Sequence, residues 1–365
     1  MPERGELVTL PGAVPPQDDA SPDQGVPWHF GDPFGEQRAA ARSVAVVDRS
    51  NREVIAVPGE ERLSWLHLMI SQHVSDLHEG EGTEALVLDS QGRVDAHMVL
   101  AHASGTVWLD TEPGASATGA RGDRQSLLEY LIAMKFWSKV DPRDATDEIA
   151  VLSLLGPSAP SLLESVSLPA PASLYAVAGT DVLVRRMPGS FDLLVPRAER
   201  LAWWERLTNA GARPMGSWGY EALRVEALRP RLGVDTDEKT IPHEVNWVPS
   251  AAHVAKGCYR GQETVSKVHN IGRPPRRMLL LHLDGTADTL PATGDPVQAG
   301  ERVVGRVGTV AQHHELGPIA LALVKRSVTP DTPLTAGGAS AAIDPDSVPP
   351  DTPGLGREAV RRLHS

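Results

Sequence analysis

The stretch KGCYRGQE, which begins at Lys256, contains the only cysteine in the chain of 365 residues. Lys256 and Arg260 each lie two residues from Cys258, and neighbouring cations stabilise a thiolate over a thiol. Gly257 and Gly261 allow the backbone to bend closely around the sulfur. We therefore predict that Cys258 is an accessible, functional thiol, with a pKa below the free value of about 8.5.

The alternative for this cysteine is an inert, buried side chain, which is the usual state of a free cysteine. A polar stretch interrupted by glycines is a poor core strand, however, and this favours the functional thiol. His243, His253 and His269 are close in sequence, but none has the spacing of a catalytic partner. We expect Gln262 and Glu263 to fix the loop through hydrogen bonds rather than to react.

The segment LRVEALRPRLGVD, which begins at Leu223, alternates apolar and polar residues as a half-buried strand does. On a strand, Arg224 and Glu226 would project from the same face. They would form either a surface ion pair or one side of a polar cavity. An arginine in a cavity suits a carboxylate ligand, which its guanidinium can hold with two hydrogen bonds.

The bulk composition limits the classes of function. The net charge of −12 argues against a nucleic-acid partner, because phosphate binding needs a broad basic surface. One cysteine excludes an internal disulfide, a four-cysteine zinc site and a cluster held by four thiolates of this chain, and we predict no metal site. No apolar run approaches the roughly 18 residues of a membrane span, and the first residues lack the apolar region of a secretory signal. We expect a cytoplasmic protein.

The elements that must position these side chains follow from apolar periodicity. EALVLDSQGRVDAHMVLAH and VLVRRMPGSFDLLVP predict hairpins, and IAVLSLLGPSAPSLLESV predicts a strand, a turn and a helix. DRQSLLEYLIAMKFW predicts a helix that starts at an Asp123 cap, and AERLAWWERLTNAG predicts another helix. From Met278 to Val328, short β-runs separated by Gly, Pro and Asp predict a small antiparallel barrel.

These patterns divide the chain into four parts. Residues 1–27 are predicted to be a flexible lead-in, because they are polar and rich in proline. Residues 28–273 form an α+β body with two subdomains that divide near residue 150. Residues 274–334 form the barrel. Residues 335–365 form a flexible tail, in which REAVRRLHS is predicted to be a short terminal helix.

KGCYRGQE matches the K-G-C-Y-x-G-Q-E motif of the YgfZ family, folate-binding relatives of the glycine-cleavage T-protein (GcvT aminomethyltransferase). IAVLSLLGPSAP resembles the family's strand-to-Gln-Gly-Pro turn, with Leu in place of Gln. ALRVEA resembles its L-R-x-E-A segment, and GRPPRRMLLLHLDG resembles the start of its C-terminal barrel. GDPV and GERVVGRVGTV resemble its Gly-Asp and Val-Gly-x-Val-Thr turns. The resemblance covers about residues 28–330.

The resemblance implies a three-part, ring-like α+β protein with a C-terminal antiparallel β-barrel. It also implies a tetrahydrofolate pocket in a central hole that the cysteine motif faces. The cofactor-binding residues would be Arg224, Glu226, Asp95 and Lys256, and the catalytic residues Cys258 and Lys256. The remaining motif residues, which would support the thiol loop, are Gly257, Tyr259, Arg260, Gly261, Gln262 and Glu263.

The resemblance further implies a folate-dependent role in the maturation or repair of iron–sulfur enzymes. The partners would be reduced folate and iron–sulfur client or assembly proteins. Because a lone cysteine cannot hold a cluster, a helper role fits better than permanent carriage. We expect no robust turnover by the protein alone.

Two departures from the T-protein pattern bear on the reaction. T-proteins carry an Asp-Asp pair in the hairpin that QGRVDAHMVL resembles, whereas here Asp95 is followed by Ala96. Their pterin-holding Glu lies in a Tyr-Thr-Gly-Glu segment, and RRMPGSFDLLV contains no Glu. Aminomethyl transfer needs a carboxylate to polarise folate nitrogens. A one-carbon transferase is therefore the second hypothesis, and a folate-sensing scaffold without chemistry is the third.

Overall fold

The computed structural model describes residues 5–19, 21–271, 273–287 and 289–349. The chain divides into two compact units, and it passes from the first to the second between Tyr220 and Glu221. Residues 70–72 and 86–95 also belong to the second unit. Apolar periodicity did not indicate this division, because the short segments that join the second unit come from a helix end and a hairpin tip.

The part of the chain before residue 220 is built mainly from strands. They are β1 (Ala45–Asp48), β2 (Glu53–Pro58), β3 (Glu81–Leu88), β4 (Val94–Ala103), β5 (Thr106–Thr111), β6 (Ser116–Thr118), β7 (Arg124–Ser126), β8 (Arg143–Asp144), β9 (Ile149–Leu155), β10 (Val177–Ala178), β11 (Leu183–Met187), β12 (Ser190–Pro196) and β13 (Arg213–Met215).

Helices connect these strands and lead into the second unit. They are α1 (Pro33–Arg42), α2 (Arg62–Met69), α3 (Leu127–Ala133), α4 (Ala159–Ser165), α5 (Arg200–Asn209), α6 (Ser217–Glu226) and α7 (Gln262–Ile271). Short 3₁₀ helices lie at Glu6–Thr9, Arg197–Glu199, Pro242–Val245 and Pro345–Ser347. Among the described residues, no helix has both the length and the apolar character needed to cross a membrane.

Two larger sheets organise the first unit. One has six strands in the order β10-β11-β12-β9-β1-β13, in which β1 and β13 are parallel. The other has the order β3-β4-β5-β2-β8, and β6 pairs with β7 separately. Val46 pairs with Leu154, and Leu152 with Leu193, and all four side chains are buried. The apolar runs read from the sequence therefore form central strands with a shared core.

Helix α3 corrects one predicted helix start. It begins at Leu127, and its N-cap is Ser126 rather than Asp123. The Ser126 side chain accepts a hydrogen bond from the Glu129 backbone N–H, and the Glu129 carboxylate accepts one from the Ser126 backbone N–H. This reciprocal pair satisfies two N–H groups that have no helical partner. The residues before it extend into β7 instead of the helix.

The described residues of the predicted lead-in, 5–19 and 21–27, belong to the folded first unit, contrary to the predicted flexibility. Leu7 is fully buried and packs in the same core as Phe191 and Trp204. The Gly5 N–H donates a hydrogen bond to the Gly25 carbonyl. Burial of one large apolar side chain gives this polar, proline-rich segment a fixed position, because such burial stabilises by about 1.5–3 kcal/mol.

The segment predicted as a half-buried strand at Leu223 is helical, so that prediction is wrong. It forms the second half of α6, where the Ala227 N–H donates to the Leu223 carbonyl. Ala222 and Val225 are fully buried, and Glu226 is exposed. Residues three apart share a helix face, so the apolar residues between Leu223 and Leu228 fit a helical period as well as a strand period. The segment is helical because Ala222 and Val225 pack in the core of the second unit.

The second unit contains the predicted closed antiparallel barrel. Its strands are β14 (Arg276–Leu283), β15 (Pro296–Ala299), β16 (Arg302–His313), β17 (Gly317–Lys325), β18 (Leu334–Ala336) and β19 (Ala339–Ile343), in the order β14-β17-β16-β15-β18-β19. Leu279, Leu281, Val307, Ala320 and Val324 fill its interior. The α+β body followed by an all-β barrel is confirmed.

The barrel extends beyond residue 334, where the sequence predicted a flexible tail. Strand β19 pairs with β14, with Ile343 opposite Leu281, and this pairing closes the barrel. In GGASAAI, Ala339, Ala341 and Ile343 are buried and alternate with exposed residues, so this segment is a strand although its composition resembles that of a linker. The predicted terminal helix and residues 350–365 lie outside the described residues.

Candidate functional site

Cys258 lies in an irregular loop that ends where α7 begins at Gln262. Its side chain is exposed, as predicted for an accessible thiol. The Gln262 side-chain amide donates to the Lys256 carbonyl at 3.0 Å and so links the two ends of the loop. The motif therefore presents a solvent-accessible sulfur on a short loop whose ends are held together. Its reactivity stays a prediction.

A glycine is required at position 261 because the backbone there lies very close to the hairpin turn between β3 and β4. Gly261 has a φ of +78°, and a Cβ built on it would lie 2.6 Å from the Asp89 carbonyl oxygen and 2.7 Å from Gly92 Cα. The Thr264 hydroxyl donates to the Gln91 carbonyl at 2.7 Å beside this contact. The second glycine of the motif thus lets the thiol loop pack tightly on the turn.

Lys256 anchors the other side of the loop. Its side chain is only 3% exposed, and Nζ donates to the carbonyl oxygens of Ile70 at 2.5 Å and Gln72 at 3.1 Å. Nζ also lies 5.1 Å from the centre of the Tyr259 ring. Burial lowers the pKa of Lys256 to about 8. The predicted effect of this cation on the thiol stays a prediction, since its contacts are with carbonyls and a ring.

The carbonyls that receive Lys256 belong to a short segment after helix α2, residues 70–72, which sequence reasoning missed. Ser71 Oγ donates to the Ala251 carbonyl at 2.7 Å, and the His253 N–H donates to the Ser71 carbonyl. The Gln72 amide donates to the Ser250 carbonyl at 2.7 Å. These bonds join residues about 180 positions apart, and no local spacing reveals them.

The remaining motif residues differ in how deeply they are buried. Tyr259 is 9% exposed and packs in the second unit's core, and burial raises its pKa to about 12. Arg260 is half-buried. Glu263 is exposed in the first turn of α7, where its carboxylate complements the positive end of the helix dipole. The loop thus alternates buried anchors with an exposed thiol.

Arg224, which was predicted to bind folate, is engaged by groups of the chain itself. It is 7% exposed, and it bonds to Glu221 at 2.6 and 2.9 Å and to Asp235 at 2.7 Å. Its other bonds reach the Arg229 carbonyl and the Thr309 hydroxyl. These five bonds match the five N–H donors of a guanidinium, so none remains for a folate carboxylate. The two carboxylates raise the pKa of Arg224 despite its burial.

Glu226 and Asp95 are the other two predicted folate contacts. Glu226 lies two positions after Arg224 in α6, which places it on the opposite side of a helix. Its side chain is 48% exposed, with Oε2 3.3 Å from His313 Nε2. Asp95 is 8% exposed at the start of β4. The structure therefore does not gather Arg224 and Glu226 on one face.

The hairpin that lacks the pterin-holding Glu contains Asp192, whose carboxylate is engaged within the first unit. Asp192 is 1% exposed, lies 2.9 Å from Arg185 and accepts a hydrogen bond from Ser153. Arg185 also contacts Asp110 at 2.7 Å, and Arg52 contacts Asp110 at the same distance. The two arginines hold the pKa of Asp110 below its ordinary value, although burial alone would raise it. This buried ion network was also missed from the sequence.

No group of three or more His, Cys, Asp or Glu side chains within the described ranges has the arrangement of a metal site. The described residues present an exposed thiol on an anchored loop. Together with the fold, this defines the class of protein as an α+β domain joined to a C-terminal barrel, with one cysteine between them in sequence.

Comparisons with known proteins place the chain in a family. The GCVT N-terminal domain model matches residues 26–248, and the CAF17 C-terminal beta-barrel domain model matches residues 276–350. The chain belongs to the family that the GCVT N-terminal domain defines.

Among curated relatives, a putative chloroplastic transferase of Arabidopsis thaliana is 25% identical over 72% of this chain and 61% of its own length. The chain thus spans less than two thirds of that relative. An aminomethyltransferase of Rubrobacter xylanophilus is 28% identical over 86% of this chain and 83% of its own length.

Among solved structures, the glycine cleavage system aminomethyltransferase T of Bartonella henselae matches with a TM-score of 0.77. The match covers 93% of this chain and 94% of that one at 19% identity. At this identity the match shows a shared fold.

Proposed function

We propose that this protein is a cytoplasmic, tetrahydrofolate-binding accessory factor of the YgfZ type, which supports iron–sulfur cluster assembly or repair in client enzymes. The observation that carries the proposal is the exposed Cys258 between two buried anchors, Lys256 and Tyr259. The match to a GCVT domain followed by a CAF17 barrel supports it.

The thiol acts on a partner, because the chain has no second cysteine with which to form a disulfide. A Cys258 thiolate can attack a disulfide of a client protein, so that a mixed disulfide forms and the client's other sulfur leaves as a thiolate. It can also supply one ligand to iron while the client supplies the others. Both reactions need the sulfur at the surface and the loop held in one position.

Folate binding is proposed from the family rather than from the predicted contacts. Arg224 has its five donors engaged, and the Asp192 carboxylate lies in an ion network. Tetrahydrofolate carries one-carbon groups, but the predicted residues do not fit the task of polarising its nitrogens. No transfer step is therefore assigned to this chain.

An aminomethyltransferase is the second candidate function, because several relatives are named as such at 24–28% identity. Ala96 stands where T-proteins have a second Asp, which weighs against it. The third candidate is a folate-sensing scaffold in which Cys258 has no role.

One set of measurements on the full chain separates these candidates. Calorimetry with tetrahydrofolate should show binding by the wild type and equally by Cys258→Ser, and neither should consume an aminomethyl donor. Client activity in cells should need the thiol. Turnover of the donor by purified protein would establish the transferase, and full client activity with Cys258→Ser would establish the scaffold. Absence of folate binding would remove the folate part of the proposal.

A further inference from the structure

Two large aromatic side chains lie next to each other at the surface of the first unit, just after helix α3. Trp137 is 98% exposed and Phe136 is 75% exposed. Ile132, in the last turn of α3, is also exposed. Single exposed apolar residues are common on protein surfaces, whereas adjacent ones mark interaction sites. Residues 135–139 are called the aromatic tip below.

The aromatic tip is held in position at both ends. Before it, the Trp65 indole N–H donates to the Met134 carbonyl at 3.0 Å. At its end, the Lys139 N–H donates to the Glu61 carboxylate at 2.6 Å. Between these bonds Phe136 has a φ of +44°, a left-handed conformation that is uncommon for residues other than glycine. The backbone of the tip thus presents both rings to solvent in a fixed position.

A hollow of about 350 Å³ lies between the tip and the end of β2. Its lining includes Pro58 and Gly59 from the end of β2, and Lys135, Ser138 and Lys139 from the tip. A proline ring and the stems of lysine side chains offer apolar surface. A lysine ammonium group is also attracted to the face of an aromatic ring. The hollow therefore suits a planar aromatic side chain.

Opposite charges border this hollow. Lys135 Nζ lies 3.2 Å from Asp141, and Lys139 Nζ lies 3.3 Å from Glu60. Charged pairs around an apolar centre are typical of the polar rim of a protein interface. Because these four charges balance, they give the tip no net attraction for an anionic membrane or a nucleic acid. They are complementary to a surface that carries the same mixture of charges.

We propose that the aromatic tip docks on a second copy of this chain, with Trp137 of each copy seated in the hollow of the other. A two-fold symmetric dimer uses the same patch twice, so that patch must supply both the inserted group and the site that receives it. The tip supplies both, since the exposed Trp137 is next to Ser138 of the hollow. The lysines of each copy then contact the indole ring and the carboxylates of the other. The proposal does not depend on the folate or thiol functions.

Sedimentation velocity of the full chain over a wide range of concentration tests the proposal. The wild type should form a reversible dimer. Trp137→Ala should weaken dimerisation at least about thirtyfold, the effect of losing a central aromatic contact. Leu174→Ala is the matched control, because Leu174 is also exposed but lies outside the tip, and it should dimerise as the wild type does. A wild type that stays monomeric, or a dimer that Trp137→Ala leaves intact, would overturn the proposal.

Ser138→Trp tests the hollow separately, because it places a bulky side chain there and leaves Trp137 unchanged. This variant, confirmed by circular dichroism to be folded, should dimerise as poorly as Trp137→Ala. A mixture of the two variants should associate more strongly than either alone, since the Trp137 of one copy meets the open hollow of the other. Failure of the mixture to associate would contradict the reciprocal insertion.

A membrane surface is the other occupant that such a tip suits, and vesicles of phosphatidylcholine and phosphatidylglycerol test it. A monomeric wild type that sediments with these vesicles, while Trp137→Ala does not, would assign the tip to lipid and overturn the dimer. A monomer that ignores the vesicles would leave the tip to a different protein, and would overturn the dimer equally.

Discussion

Lys256 Nζ donates a hydrogen bond to the Ile70 carbonyl oxygen across 186 positions of sequence. The bond ties the loop of Cys258 to the segment that follows helix α2. It also keeps a lysine almost completely buried two residues from an exposed thiol. The anchor and the thiol are thus parts of one motif with opposite environments, and this contrast leads to the first prediction.

Stability should rise with pH between about 8 and 10.4 because of Lys256. Burial lowers its pKa to about 8 in the folded protein, against about 10.4 in an unfolded chain. Between these values the unfolded chain holds more protons than the folded one, so raising the pH favours folding. Urea unfolding of the wild type and Lys256→Met at pH 8 and pH 10 measures this. The wild type should gain stability relative to the variant, and equal changes in both proteins would contradict the assignment.

The two glycines of the motif should differ in their tolerance of alanine. Gly261→Ala should cost about 1–3 kcal/mol, because a φ of +78° strains a residue with a Cβ and that Cβ would clash with the Asp89 carbonyl. Gly257→Ala is the matched control, since a Cβ there meets open space. Thermal unfolding of both variants checks the difference. Equal stability of the two variants would mean that the loop does not pack on the hairpin turn as described.

Arg224→Ala should lower stability by about 3–5 kcal/mol, because it leaves Asp235 as a buried carboxylate without this cation. Glu221 also loses its contact with Arg224 and keeps only the longer one to Arg231, at 3.6 Å. Arg302→Ala, at an exposed position of the barrel, should change stability little. Under conditions where Arg224→Ala remains folded, its affinity for tetrahydrofolate should match that of the wild type. A selective loss of folate affinity with little loss of stability would instead restore the ligand-binding role that the sequence suggested.

Cys258 should react with iodoacetamide in the native protein. Its exposure predicts alkylation at a rate within about tenfold of that in urea, since reactivity follows access and thiolate content. Mass spectrometry of timed samples measures both rates. If Cys258 is protected until the protein unfolds, the inert-cysteine alternative is correct. Lys256→Ala, compared across pH, shows whether the neighbouring cation contributes.

Local sequence patterns were sufficient to predict the hairpins, the barrel and the exposure of Cys258. The barrel runs consist of short alternating strands between turn residues, and this pattern is visible in the local sequence although the strands pair over long separations. The α6 segment was misassigned because Leu223 to Leu228 fits both periods, and the burial of Ala222 and Val225 that decides between them is tertiary. The three-part, ring-like arrangement stays a prediction.

The contacts of the candidate-site residues were also beyond what local patterns show. Arg224 was predicted to be available for a ligand because its segment was assigned as a strand, and on a strand the helical contact with Glu221, three positions away, is not expected. Its contact with Thr309, 85 positions away, gives no local signal. The contacts of Ser71 and Gln72 beside the thiol loop span about 180 positions of sequence. Residue types indicated which groups have chemistry, but long-range packing decided which of them remain accessible.

The most direct test of the central claim is the activity of iron–sulfur enzymes in a strain that lacks this protein. Wild-type protein should restore those activities, and Cys258→Ser, confirmed to be folded and present at equal abundance, should not. Ser75→Ala, a change at an exposed site, is the control and should restore them fully. Full restoration by Cys258→Ser would contradict the claim that the iron–sulfur enzymes depend on the exposed sulfur of this loop.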